Sequence, residues 1–147
     1  MSSHEDLHRQ LETVYVLLQD GTRRALAPVG LTPTQYSLLA LVADAPREGL
    51  SITTLASRLL CTRGNASRLV GRLMTAGLVS TGSVSTDERL VLVRLTRTGR
   101  ERLDVAREAI RLADEARFAA VADDHLDCLR TDLASLEDGL RSWLTTP

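Results

Sequence analysis

A chain of 147 residues with 44% hydrophobic and 25% charged residues has the composition of one globular domain, so residues 1–147 are expected to form a single domain. Its net charge of −1 argues against a uniformly basic protein, and its two cysteines, Cys61 and Cys128, are too few for a disulfide framework. No apolar run has the length of a membrane span and the amino terminus does not resemble a secretory signal, so we expect a cytoplasmic protein without a membrane partner.

The first predicted helix covers residues 4–26 and has an apolar seam. Its apolar residues recur at heptad-like spacings of 4, 3 and 4 at Leu7, Leu11, Val14 and Leu18. Such a narrow seam favours packing against another helix. Gly21 permits a bend or an early end, and Pro28 and Gly30 terminate the segment.

A second helix is predicted after Thr32. The Thr32 hydroxyl can cap the first free amides, Pro33 suits the first helical position, and Gln35 can bond back to the cap. Pro46 and Gly49 close the helix. Its wide apolar face consists of Tyr36, Leu38, Leu39, Leu41 and Val42.

Two short helices with a tight turn follow. Ser51 can cap the third helix, Leu60 and Cys61 form the turn, and Thr62 can cap a fourth helix that ends near Thr75. Gly77 is a left-handed stop just beyond that end. This pattern predicts a helix-turn-helix.

The fourth helix has one apolar face and one small, basic face. The apolar face consists of Ala66, Leu69, Val70 and Leu73, and the opposite face of Gly64, Ser67, Arg68, Gly71 and Arg72. Residues 51–100 hold eight arginines against two acids, whereas the rest of the chain holds ten arginines against seventeen acids. The basic middle therefore predicts one surface for a polyanion.

A two-stranded wing is predicted next. Leu78 and Val79 begin a strand, a polar stretch runs from Gly82 to Asp87, and residues 89–95 alternate as a second strand rich in Val and Leu. The fold class is therefore mainly α with a small β-hairpin wing, and residues 32–96 form the winged helix-turn-helix part.

Two long terminal helices complete the chain, the fifth capped by Thr96. Together with the first helix they carry more leucine seam than a monomer of this size can bury, which predicts a homodimer built from residues 4–28 and 97–144. The predicted interface residues are Leu7, Leu11, Ile110, Leu129, Leu133, Leu136, Leu140 and Trp143.

The chain resembles the MarR family of bacterial regulators. The resemblance rests on residues 51–60, on residues 63–73, on Gly77-Leu-Val, and on Asp87-x-Arg followed by a strand that ends in Leu95-Thr96-x-x-Gly99. It implies a dimer that places its fourth helices in the major grooves of a pseudo-palindromic duplex. It also implies a repressor that a small ligand releases, although activators occur in the family.

The resemblance and the helix faces define a candidate DNA-binding set. Arg can pair with guanine, Asn with adenine, and Ser with a base or a phosphate, and family wings reach the minor groove from the position of Arg89, which Asp87 would orient. The loop of this wing is unusually neutral. The set comprises Ser51, Thr53, Thr62, Arg63, Gly64, Asn65, Ser67, Arg68, Arg72, Asp87 and Arg89.

Family analogy also suggests a pocket for a lipophilic or phenolic effector. Its candidate residues are Leu11, Tyr15, Arg23, Tyr36 and Leu39, with ordinary core packing as the favoured role of the leucines. We expect no cofactor and no metal, although His4 and His8, and His125 and Cys128, have spacings that permit shared ligation.

Two alternatives remain open beside a DNA-binding regulator. One is a winged-helix module that binds proteins, and the other is a regulator that senses oxidants through Cys61 or Cys128. An enzyme is not expected, because the chain has no nucleophile elbow, phosphate-binding glycine loop or dinucleotide fingerprint.

Overall fold

The structure, a computed structural model, describes residues 3–84 and 87–145, and the side chains of residues 84–90 are not described. Contacts divide the chain into two compact units, Met1–Ala113 and Asp114–Pro147. The elements in chain order are α1 (Ser3–Leu26), a 3-10 helix (Ala27–Val29), α2 (Pro33–Ala43), β1 (Leu50–Ser51), α3 (Ile52–Arg58), α4 (Arg63–Thr75), β2 (Val79–Val84), β3 (Asp87–Leu95), α5 (Arg97–Phe118) and α6 (Asp123–Thr145). The fold is mainly helical with a small antiparallel sheet, as predicted.

The predicted helix caps are confirmed. Thr32 accepts a hydrogen bond from the Gln35 amide at 3.2 Å while the Gln35 side chain accepts from the Thr32 amide at 2.9 Å, which completes a capping box. The Ser51 hydroxyl caps α3 by accepting from the Thr54 amide, and the Thr62 hydroxyl caps α4 by accepting from the Asn65 amide, each without the reciprocal bond from the cap amide to a side chain. Gly77 follows α4 with φ +72°, the left-handed conformation expected of a helix stop.

Gly21 permitted a bend or an early end of the first helix, but helix α1 continues past it. The α-helix ends at Leu26, which is buried, and the chain then tightens into the 3-10 helix closed by Gly30 at φ +73°. One helical glycine costs only about 1 kcal/mol, and the favourable residues around it outweigh that cost.

The sheet has three strands in the order β1-β3-β2, all antiparallel. The predicted hairpin of β2 and β3 is present, but β2 extends through Gly82 to Val84, where we expected the loop to have begun. The two-residue strand β1 was not predicted. It pairs Leu50 with Val93 and thereby ties the start of α3 to the wing.

One aliphatic core holds the helix-turn-helix and the sheet together. Its fully buried side chains include Leu26, Leu38, Leu39, Leu55, Leu73, Val93 and Leu103, which come from α1, α2, α3, α4, β3 and α5. The core therefore fixes α4 relative to the wing.

The amino terminus of α5 is locked against the base of the wing. The Thr96 hydroxyl donates to the Gly77 carbonyl oxygen at 2.7 Å and accepts from the Gly99 amide at 2.9 Å. A Cβ on Gly99 would lie 1.9 Å from the Leu78 carbonyl oxygen. Only glycine permits this approach, which explains the Leu-Thr-x-x-Gly spacing of the sequence.

Helix α6 lies in the second unit and exposes its apolar seam. None of its residues is buried within the chain, Leu126 and Leu136 are half-buried, and Trp143 is 72% exposed. Such an exposed seam is typical of a surface that packs against another chain.

None of the described helices is by itself long and apolar enough to cross a bilayer. Helix α1 with its 3-10 extension reaches that length and composition only together with α2, across a bend of 77°.

Candidate nucleic-acid interface

Helix α4 has one face on the core and one face in solvent. Ala66, Val70 and Leu73 are buried, whereas Arg63, Arg68 and Arg72 are exposed. The helix contains no acidic residue. Its outer face is therefore a purely cationic surface held rigidly by the packing of its inner face.

Small residues leave the backbone of this outer face accessible. A Cβ on Gly64 or on Gly71 would meet nothing within 4 Å, and Ser67 is exposed between them. The Asn65 side chain accepts a hydrogen bond from the guanidinium of Arg68, one turn along the helix. This bond restrains Arg68 before any partner arrives.

The predicted DNA-contacting hydroxyls at the starts of α3 and α4 play two different roles. Ser51 is half-buried, and its hydroxyl is engaged with Thr54 by the cap at 3.1 Å and by a side-chain bond at 2.9 Å. Thr53 is exposed beside it. Thr62 is exposed at the start of α4, but its hydroxyl oxygen accepts from the Asn65 amide at 3.2 Å. Thr53 is thus the freer hydroxyl.

The wing residues of the predicted set lie at the start of β3. Asp87 and Arg89 belong to that strand, but their side chains lie outside the described residues, so their predicted ion pair stays a prediction. Arg94, later in β3, was not singled out from the sequence. Its Nε donates to the Glu48 carbonyl oxygen at 2.8 Å, which fastens the loop before β1 to the sheet.

The five residues proposed for an effector pocket lie in different surroundings. Leu39 belongs to the core and Tyr36 packs against it, while Leu11 is half-buried and Tyr15 is 63% exposed. Arg23 pairs with Asp20 on α1.

Asp20 lies between two arginines near the end of α1. Hydrogen bonds from Arg23 and Arg24 hold the pKa of the Asp20 carboxyl below its ordinary value. The Asp20 carboxyl therefore stays ionised at neutral pH and holds both guanidinium groups along α1.

The cysteines and histidines do not form a cluster. Cys61 is partly buried in the turn before α4, and Cys128 is exposed on α6. The His8 imidazole lies 3.4 Å from Glu12, a surface pair. Across residues 3–84 and 87–145, no group of three or more His, Cys, Asp or Glu side chains is arranged to hold a metal ion.

A helix-turn-helix with a buried inner face and an arginine-rich outer face, followed by an antiparallel wing, defines a winged helix-turn-helix protein. The sequence model of the MarR family matches residues 29–90, which is most of this region. This match confirms the predicted resemblance to the MarR family over the winged helix-turn-helix region.

A curated relative supports this assignment. The chain is 34% identical over 93 residues to the transcriptional activatory protein BadR of Rhodopseudomonas palustris, a match that covers 63% of this chain and 53% of BadR. The aligned part of this chain thus spans about half the length of that relative.

Solved structures extend the likeness to nearly the whole chain. Sco3205, a MarR family regulator from Streptomyces coelicolor solved in complex with DNA, matches at 28% identity with a TM-score of 0.80 and covers 95% of this chain and 90% of its own. The repressor CouR bound to a 23-mer duplex matches at 28% identity with a TM-score of 0.82, covering 89% and 92%. CouR from Rhodococcus jostii bound to p-coumaroyl-CoA matches at 26% identity with a TM-score of 0.80, covering 92% and 94%.

Proposed function

We propose that the protein is a homodimeric, sequence-specific DNA-binding regulator of transcription that acts in the cytoplasm. The observation that carries this proposal is the outer face of α4, where Arg63, Arg68 and Arg72 are exposed on a helix fixed by its buried opposite face. Three guanidinium groups without an acid on one fixed helix face match the phosphates of a duplex in charge.

In this proposal α4 enters a major groove of the duplex. Guanidinium groups pair with guanine edges or phosphates, and the Asn65 amide can pair with adenine once Arg68 turns to the DNA. The open backbone at Gly64 and Gly71 lets the helix approach the duplex closely. Thr53 and Ser67 supply hydroxyls for phosphates.

The wing contributes a second contact. Arg89, oriented by Asp87, reaches the minor groove or its phosphates. Because Ser83, Val84, Ser85 and Thr86 are neutral, this wing contributes fewer phosphate contacts than is usual in the family.

Repression relieved by a small effector is the proposed mode of regulation. CouR is described as a repressor and has been solved both with DNA and with p-coumaroyl-CoA, and it matches most of this chain. BadR, described as an activatory protein, matches a shorter part. The proposed lipophilic or phenolic effector lies near Tyr15, Arg23 and Tyr36, where α1 and α2 follow one another in the first unit.

Binding to DNA is tested with the full chain by fluorescence anisotropy. A labelled DNA fragment from the region upstream of the protein's own gene is compared with unrelated DNA of equal length, at two salt concentrations. We expect tighter binding to the upstream fragment and a steep loss of affinity with salt, because released counterions accompany each phosphate contact. Equal affinity for both fragments would contradict sequence-specific regulation from that region.

A matched pair of variants assigns the contact to α4. Arg72→Gln removes one exposed guanidinium from α4, and Arg130→Gln removes one from α6, where Arg130 pairs only loosely with Asp127 at 3.3 Å. We expect Arg72→Gln to weaken specific binding by about 1–3 kcal/mol, roughly 5- to 150-fold, and Arg130→Gln to leave it unchanged. Equal losses in the two variants would indicate a general charge effect instead of a contact by α4.

A further inference from the structure

A cleft of about 550 Å³ lies on the first unit, away from the residues assigned to DNA or effector binding. It is bounded by the end of α2, the loop before β1, Ser80 of β2, the end of β3 and the first turn of α5. Its lining residues are Val42, Ala43, Ala45, Pro46, Arg47, Gly49, Ser80, Arg94, Leu95 and Arg100. We call it the Arg47–Arg94–Arg100 cleft.

The rim of the cleft is strongly cationic. Arg47 and Arg100 are exposed, and neither guanidinium group makes a hydrogen bond or ion pair within the described part of the chain. Asp44 and Glu48 are near in sequence but do not line the cleft, and the Asp44 carboxylate pairs with Arg107 at 3.0 Å. The described lining of the cleft therefore contains three arginines and no acidic residue.

One of the three guanidinium groups is fixed in place. The Nε of Arg94 donates to the Glu48 carbonyl oxygen at 2.8 Å, which leaves its two terminal nitrogens for another acceptor. Two glycines make room for this side chain, because a Cβ would lie 2.9 Å from the Arg94 Cγ at Gly49 and 3.3 Å from its Nη1 at Gly82. The cleft thus holds a prepositioned cation that loses little side-chain entropy on binding.

A smaller, apolar part of the lining forms the floor of the cleft. Val42 and Leu95 are buried, and Ala43 and Ala45 are half-buried beside them. A volume of about 550 Å³ is within the usual range for a small-molecule site. A DNA phosphate has no apolar group to pack against this floor, whereas a small molecule with an apolar body does.

We propose that the Arg47–Arg94–Arg100 cleft binds a small organic phosphate, with its phosphate groups on the three guanidinium groups and its body on the apolar floor. A guanidinium group can donate two parallel hydrogen bonds to a phosphate, and the first turn of α5 adds the positive end of a helix dipole. Binding at this cleft does not depend on the proposed DNA contact, since none of its residues lies on α4.

Isothermal titration calorimetry with pyrophosphate and ADP tests the proposal on the full chain without DNA. We expect one saturable site per chain and tighter binding of ADP than of pyrophosphate, because only ADP carries a body for the floor. The double variant R47Q/R100Q should weaken ADP binding roughly a hundredfold, about tenfold for each charged hydrogen-bond donor removed.

The matched control is R63Q/R72Q, which removes the same charge from exposed positions of α4. It should retain ADP binding and lose DNA binding, whereas R47Q/R100Q should retain DNA binding. A wild-type protein without saturable ADP binding, equal ADP losses in both double variants, or pyrophosphate binding as tight as ADP binding would overturn the proposal. So would a loss of DNA affinity in R47Q/R100Q as large as in the control, which would place the cleft on the DNA. ADP binding by a protein that fails to bind DNA would leave the cleft proposal standing and the proposed function overturned.

Discussion

Gly99 is a residue whose small size the fold requires. Its ideal Cβ would lie 1.9 Å from the Leu78 carbonyl oxygen, and a backbone atom cannot move aside as the end of a flexible side chain can. Gly99→Ala should therefore force α5 away from the wing and lower the free energy of unfolding by at least about 2 kcal/mol. Urea denaturation at fixed protein concentration measures this loss.

Gly71 provides the matched control for that substitution. It lies inside α4, where a Cβ would meet nothing within 4 Å. Gly71→Ala should raise the free energy of unfolding by about 0.5–1 kcal/mol, because alanine has less conformational freedom to lose than glycine. If both alanines changed stability in the same direction, the close approach at Gly99 would not be what fixes the start of α5.

The Asp20 carboxyl on α1 makes the free energy of unfolding depend on pH under acidic conditions. Hydrogen bonds from Arg23 and Arg24 lower the pKa of its carboxyl in the folded chain, so ionised Asp20 favours the folded state above its unfolded pKa, about pH 4. That contribution is lost as the pH falls through the lowered folded value. Because the group is exposed, the effect should be small.

Carboxyl chemical shifts followed by NMR through an acid titration measure the Asp20 pKa directly. We expect a midpoint below the ordinary value of an aspartate, because Arg23 and Arg24 both donate to this carboxylate. The variant R23Q/R24Q should return the Asp20 midpoint to an ordinary aspartate value. An unchanged midpoint in that variant would show that the two guanidinium groups do not cause the shift.

At the scale of elements, the α4 cap connects folding to the DNA-facing surface. The Thr62 hydroxyl oxygen accepts from the Asn65 amide at 3.2 Å, and Asn65 in turn restrains Arg68. Thr62→Ala should lower the free energy of unfolding by about 1 kcal/mol and weaken DNA binding, because the first turn of α4 frays.

Thr62→Ser keeps a hydroxyl at the same position and is the control for that prediction. Its unfolding free energy, measured by urea denaturation, should stay within about 0.5 kcal/mol of the parent value. A serine variant as unstable as the alanine variant would mean that the threonine methyl group, and not the cap, stabilises the turn.

The helices could be predicted from the sequence because their signals are local. Thr32, Ser51 and Thr62 each precede an apolar repeat, and Gly77 follows one, so the caps and the helix-turn-helix followed from neighbouring residues alone. Strand β1 could not be found in this way, because a two-residue strand has no periodicity and exists only through its pairing with β3.

The candidate DNA surface was predictable for the same reason as the helices, whereas the cleft was not. The face of α4 follows from a repeat within thirteen residues. The cleft joins Arg47, Arg94 and Arg100, which are brought together only when β3 pairs with β1 and α5 packs beneath the wing. The sequence identified Gly99 within a motif, but the contact with Leu78 that requires it appears only in three dimensions.

At the scale of the whole molecule, apolar seams remain exposed on the terminal helices. Leu7 on α1 and Leu129, Leu133 and Leu140 on α6 are each between 43% and 51% exposed within a single chain. Their heptad-like spacing is that of helices which pack against partners. A homodimer would cover these seams and present two α4 helices to one duplex. Once the first α4 is bound, the second meets its half-site at a high effective concentration.

Leu133→Asp tests this assembly by placing a charge in the α6 seam, and Val105→Asp makes the same change at an exposed position of α5 outside the predicted seams. Within the chain Leu133 is 43% exposed and Val105 is 59% exposed, so neither substitution disturbs the core of its own unit. Sedimentation velocity should give a monomer for Leu133→Asp and a dimer for Val105→Asp, with far-UV circular dichroism to confirm that both are folded.

Because a monomer loses the linked second half-site, its affinity for the upstream fragment should fall about a hundredfold or more. A folded Leu133→Asp protein that stays dimeric would place the interface elsewhere, whereas a monomer that keeps full affinity would show that one α4 suffices for recognition.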